Sequence, residues 1–92
     1  MTKFTDEEVQ TALAELPEWS EVGGEIQRTF QFEDFKKSIA FVSKVADHAE
    51  AAQHHPDILI RYNKVTLTLS THDAGGITQH DFDLAAKADA DA

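Results

Sequence analysis

The sequence predicts a two-layer α+β domain, a four-stranded antiparallel sheet with three helices packed on one face, in the order α-β-β-α-β-β-α. Three observations predict it. Residues Thr5-Asp6-Glu7-Glu8 and Thr78-Gln79-His80-Asp81 carry helix N-capping signals. A long apolar-periodic stretch from about Asp34 to Gln53 stops just before Pro56. The flanking segments alternate apolar and polar residues around tight-turn signals at Gly23-Gly24 and Asn63-Lys64.

The elements follow in order. Thr5 can cap the N–H of Glu8 and Glu8 can reach back, with Phe4 and Val9 as the staple around the cap. Val9, Leu13 and Leu16 make one stripe, and the helix ends near Pro17. Trp19–Val22 and Glu25–Phe32 read as a hairpin, in which Ile26, Arg28, Phe30 and Phe32 share one parity and Arg28 breaks the apolar pattern. In the long helix Phe35, Ile39, Val42, Ala46 and Ala49 step by four and three as one apolar stripe. Ile58–Tyr62 and Val65–His72 read as strands. In the second of these Val65, Leu67 and Leu69 alternate with Thr66, Thr68 and Ser70, which puts His72 on the polar face. Thr78 caps the third helix, with Ile77 and Phe82 as its staple. Residues 1–92 form one domain, and 85–92, rich in Ala and Asp, are expected to fray.

Composition excludes several function classes. The formal net charge is −9, so there is no field to attract nucleic acid. There is no cysteine, which excludes disulfides and thiol nucleophiles. No apolar run approaches membrane-spanning length and the N-terminus has no apolar signal region, so a cytoplasmic protein without a membrane role is expected. A core this thin makes association between copies an expectation.

Chemistry concentrates around His54-His55-Pro56. Glu50 lies four residues before His54, and Tyr62, His72 and Asp81 follow. Imidazoles give and take protons near neutral pH, and a carboxylate can fix the tautomer of each, so the set suits general acid–base catalysis without a nucleophile. Each residue has a plainer reading. His54 and His55 fit a solvated helix end, Asp81 fits a helix N-terminus, and Glu50 and His72 fit the surface. Tyr62 fits a sheet aromatic, His48 and His80 fit surface positions, and Trp19 fits either the core or a flat wall for a ring-shaped ligand. Metal binding is the rival chemistry, but adjacent histidines diverge and no His-Glu-x-x-His spacing is present, so no metal site is expected.

The motif Glu50-x3-His54-His55-Pro56, then Tyr62-Asn63-Lys64-Val65, Leu69-Ser70-Thr71-His72, Gly76 and Asp81, resembles the pterin-4a-carbinolamine dehydratase family. Pro17-Glu18-Trp19, Phe32-x2-Phe35 and Val45-Ala46-x3-Ala49-Glu50 are also similar, so the resemblance covers about residues 3 to 85. It implies the same α+β fold and the removal of water from a 4a-hydroxytetrahydropterin to give quinonoid dihydropterin, in the recycling of tetrahydropterin for aromatic amino-acid hydroxylation. The pterin is then the substrate, with no further cofactor. By resemblance His54 and His72 are the acid–base pair, His55 is a third catalytic histidine that holds or polarises the substrate, and Glu50 and Asp81 are orienting carboxylates. Pro56 and the loop Thr71-His72-Asp73-Ala74 would contact the pterin edge, with Trp19 walling the pocket. The resemblance also implies a homodimer or homotetramer, a possible aromatic amino-acid hydroxylase partner, and an alternative role as a protein-binding or dimerisation cofactor. Gln53 and Ile58 depart from the family pattern, Gln53 where an acidic residue or Asn is common and Ile58 where an aromatic often follows.

Overall fold

A computed structural model describes residues 2–92. Its elements are α1 (Asp6–Ala14), β1 (Ser20–Val22), β2 (Glu25–Gln31), α2 (Phe35–Ala52), β3 (Asp57–Arg61), β4 (Lys64–Leu69), a single 3-10 turn (His72–Ala74) and α3 (Gln79–Asp91). The expected order α-β-β-α-β-β-α is the observed one. The strands form one antiparallel sheet in the order β1-β2-β4-β3, so β1 and β3 are its edges.

Local chemistry explains the boundaries. Thr5 caps α1 through Glu8 N–H, and the Glu8 carboxylate accepts from Thr5 N–H at 2.8 Å, the reciprocal box that the sequence signals. Thr78 and Asp81 form a second such box at α3. Asp34 caps α2 by accepting from Lys37 N–H at 2.9 Å. Gln53 closes α2 in the left-handed region, at φ 52°, and His54 N–H turns back to Ala49 O at 3.0 Å. The chain therefore leaves the helix sharply, and Pro56 prevents its continuation.

The core lies between the sheet and the helices. Ile26 and Phe30 from β2 and Val65, Leu67 and Leu69 from β4 point into it, as their parity requires. The helices supply Val9, Phe41, Val45, Phe82, Leu84, Ala85 and Ala88. Phe41 meets Phe30 and Phe32 at ring-centroid distances of 4.6 and 4.9 Å.

That aromatic contact corrects the expected stripe of α2. The buried line is Ser38, Phe41, Val45 and Ala49, while Phe35 and Ile39 are exposed and Ala46 faces solvent. Both lines have helical spacing and share Ala49. The helix rotates toward the larger contact, Phe41 on the sheet aromatics.

Two other expectations also fail. The second hairpin turns at Tyr62-Asn63, one residue earlier than expected: Tyr62 adopts φ 54° and Asn63 Nδ2 ties the turn to Phe32 O at 3.1 Å. And α3 does not fray after residue 85. It runs to Asp91 because Ala85 and Ala88 are small enough to pack closely in the core. Asp89 Oδ1 then accepts from both Trp19 Nε1 at 2.9 Å and Arg28 Nη1 at 2.8 Å. Asp91 binds His48 at 2.7 Å. Arg28 thus keeps the core-side parity of its strand, its charge matched by Asp89 and its guanidinium stacked 4.1 Å over the Phe30 ring.

Asp89→Ala removes the shared acceptor of the Trp19 indole and the Arg28 guanidinium. Urea unfolding is expected to show a loss of about 1–2 kcal/mol, set by the unpaired indole N–H and moderated by the partial exposure of the ion pair.

Candidate functional site

The end of α2, the loop after β4 and the start of α3 converge. Between them lies a cavity of about 250 Å³ lined by Ala52, Gln53, His54, Thr71, Asp73, Ala74 and His80. Behind the lining residues His54 and Thr71 lies Asp81, whose side chain is fully buried at 0 % exposure. Asp81 Oδ1 lies 2.5 Å from His54 Nε2. Asp81 Oδ2 accepts from Thr78 N–H at 2.8 Å and from Thr71 Oγ1 at 2.9 Å.

The acceptors settle the proton positions. A carboxylate only accepts, so Nε2 of His54 carries the proton toward Asp81, and in the neutral ring Nδ1 keeps a lone pair. Thr71 spends its hydroxyl proton on Asp81, so Thr78 Oγ1 donates to Thr71 Oγ1 across 2.7 Å and itself accepts from His80 N–H at 3.2 Å. Among the described residues no buried side-chain polar atom is left without a partner. His54, with a side chain 12 % exposed, is therefore held in one ring orientation and one tautomer.

The loop after β4 departs from expectation. β4 ends at Leu69, and His72 does not continue its alternation. Thr71 N–H pairs with Gly76 O at 2.8 Å and Ala74 N–H returns to Thr71 O at 3.1 Å, which closes the His72–Ala74 turn. The strand parity used to place His72 stops short of it. His72 is exposed on the loop between the lining residues Thr71 and Asp73, and its own ring is not part of the cavity wall.

The structure thus brings His54, Asp81, Thr71, Asp73 and Ala74 together and leaves other expected site residues apart. His55 turns outward and pairs with Glu50, so that carboxylate orients His55 and not His54; both are exposed, at 60 % and 73 %. Pro56 reverses the chain but does not line the cavity. Trp19, expected as a possible wall, is 3 % exposed in the core, edge-on to Phe30 at 6.0 Å with its N–H on Asp89. Burying so large a ring completes a thin core. His80 is exposed, as a surface reading expects, and it also lines the cavity, with its ring 5.7 Å from that of His54. It stands one residue before Asp81, in the first turn of α3. Among the described residues no three His, Cys, Asp or Glu side chains gather as metal ligands would need, and no helix is long and apolar enough to cross a membrane.

A two-layer α+β domain with a buried histidine–carboxylate pair opening into a polar cavity is the class of site defined by this geometry. The sequence profile of the Pterin 4 alpha carbinolamine dehydratase family matches residues 2–90. A relative bearing the family's name from Picosynechococcus sp. is 58 % identical over 88 residues, covering 96 % of each chain. Another, from Roseiflexus sp., is 56 % identical over 88 residues, covering 96 % of this chain and 95 % of the relative. The chain belongs to the pterin-4-alpha-carbinolamine dehydratase family. Among solved structures it is similar to a transcriptional coactivator/pterin dehydratase from Brucella melitensis, with a TM-score of 0.96 at 36 % identity over 99 % of both chains. It shares its fold with a pterin dehydratase-like protein identified as a RuBisCO assembly factor in the alpha-carboxysome, at a TM-score of 0.65 and 23 % identity over 79 % of this chain and 84 % of that one.

The two histidine–carboxylate pairs at the His54-His55 corner differ in what they do for the fold. Asp81→Ala strands three donors in a buried site and is expected to cost about 3 kcal/mol or more in chemical denaturation. Glu50→Ala opens a solvent-exposed pair and is expected to stay within about 0.5 kcal/mol of wild type.

Proposed function

We propose that this protein removes water from 4a-hydroxytetrahydropterin to give quinonoid dihydropterin, by histidine general acid–base catalysis. The observation that carries the reading is the His54–Asp81 pair at the cavity, in a chain of this family. Asp81 orients the ring and leaves Nδ1 of His54 as a proton acceptor at the cavity wall. Dehydration needs such a base to take a ring N–H proton and an acid to protonate the leaving hydroxyl. The electron pair of the broken N–H bond forms the new double bond to C4a, and the C4a–O bond breaks to release water. His72, on the loop that lines the cavity, is the proposed acid. His55, at the same helix end, is the third proposed histidine, which polarises the substrate with Glu50 behind it. Backbone groups of Thr71–Ala74 would hold the pterin edge. No further cofactor or metal enters this scheme. Recycling of tetrahydropterin for an aromatic amino-acid hydroxylase, in the cytoplasm, is the proposed setting.

A homodimer or homotetramer is part of the proposal. β3 is an edge strand with Ile58 and Leu59 exposed, so its backbone and apolar side chains are open to another copy. A second reading, protein binding with catalysis secondary, is favoured by one observation: Phe35 and Ile39 stand exposed on α2, 49 % and 39 % accessible. The names of the similar structures, a coactivator/pterin dehydratase and an assembly factor, fit that reading.

Stopped-flow decay of a synthetic 4a-hydroxytetrahydropterin tests the enzyme. Wild-type protein is expected to accelerate it over buffer, and His54→Ala and His72→Ala to lower the rate roughly a hundredfold or more each. His48→Ala, whose ring is engaged with Asp91 outside the site, is expected to match wild type. Absence of acceleration by wild type would refute the dehydratase reading. Partner capture that survives His54→Ala/His72→Ala would favour the binding role.

A further inference from the structure

His80 takes no part in the acid–base scheme, yet its ring shares the cavity wall with His54. The two ring centroids are 5.7 Å apart, with planes inclined by 35°. The backbone of His80 is fixed in the first turn of α3, where its N–H donates to Thr78 Oγ1. Its imidazole is not fixed: the side-chain hydrogen bonds of the site among the described residues run between His54, Asp81, Thr71 and Thr78. Gln53 Nε2 donates to Glu50 O at 3.0 Å, which leaves its Oε1 and second N–H free. Besides His54, the lining side chains with polar atoms free to meet a bound molecule are Gln53, Asp73 and His80, and His80 has its ring beside that of His54.

Asp73 and His80 differ chemically. A carboxylate accepts and cannot donate to an oxygen, whereas an imidazole can donate. The two rings are close enough for one bicyclic ligand to meet both. On a 4a-hydroxytetrahydropterin, besides the leaving hydroxyl on C4a itself, two oxygen-bearing groups lie close to C4a: the C4 carbonyl bonded to it, and a hydroxylated substituent at C6.

On the dehydratase reading, we propose that His80 is a substrate-contacting residue that donates a hydrogen bond to an oxygen substituent beside the reacting carbon, and so governs substrate affinity and selectivity. Its contact is made equally in the bound substrate and in the transition state, so its loss raises KM and leaves kcat nearly unchanged.

The test compares wild type, His80→Phe and His80→Gln on two synthetic substrates, 6-methyl and 6-dihydroxypropyl 4a-hydroxytetrahydropterin. Phenylalanine keeps a ring beside His54 without a donor, and glutamine keeps a donor without the ring. His80→Phe is expected to raise KM about tenfold, the size of one net hydrogen bond, with kcat within about twofold of wild type. His80→Gln is expected to restore KM to within about threefold of wild type. A rise on both substrates assigns the contact to the C4 oxygen, and a rise on the dihydroxypropyl substrate alone assigns it to the C6 substituent. An active wild type with unchanged KM in His80→Phe would overturn the proposal, as would a fall in kcat alone or equal loss in both variants. An inactive wild type would instead overturn the dehydratase reading. Urea unfolding of both variants checks that the fold is kept.

Discussion

The Asp81 carboxylate is the constraint on which the site depends. It is fully buried, and burial of a charge is tolerable only when the charge is surrounded by donors. Three donors reach it, from three separate segments: the end of α2 through His54, the loop after β4 through Thr71, and the α3 cap through Thr78 N–H. The same atoms that satisfy the carboxylate therefore pin those segments to one another. The cavity is the space left between them.

This makes the helix cap and the site one structure. Asp81 fills the third position of the α3 capping box, a role that any helix start can ask of it. Here the other oxygen of the same carboxylate also reaches His54. The chain of donors from Thr78 to Thr71 to Asp81 runs in one direction, and His54 closes it from the opposite side. Such a network holds an imidazole in one tautomer without a metal or a covalent bond. His55 and Glu50, paired at the surface, lack that support.

Much of the fold was legible in the sequence because local signals agreed with one another. Both capping boxes, the Gly23-Gly24 hairpin and the alternation of Val65, Leu67 and Leu69 lead to the observed elements. Rotation of α2 was not legible, since two stripes of equal spacing compete and only the contact of Phe41 with Phe30 and Phe32 separates them. The C-terminal end of α3 was also hidden. Its order comes from Asp89 meeting Trp19 and Arg28, partners 70 and 61 residues away in the chain. Within the site, family resemblance named Asp81 and His54 without pairing them, and the fold brings them together. His72 was placed by a strand parity that stops at Leu69, and His80 was passed over because no short-range pattern marks a cavity built from three distant segments.

The central claim is that Asp81 fixes His54 as the Nε2–H tautomer and leaves Nδ1 as the proton acceptor. Long-range proton–nitrogen correlation NMR of the imidazole rings, at a pH where His54 is neutral, tests it directly. The account predicts a protonated Nε2 and an unprotonated Nδ1 for His54, with averaging of the two nitrogens on replacement by Asp81→Ala if that variant remains folded. A wild-type His54 protonated at Nδ1, or with its two nitrogens averaged, would contradict it.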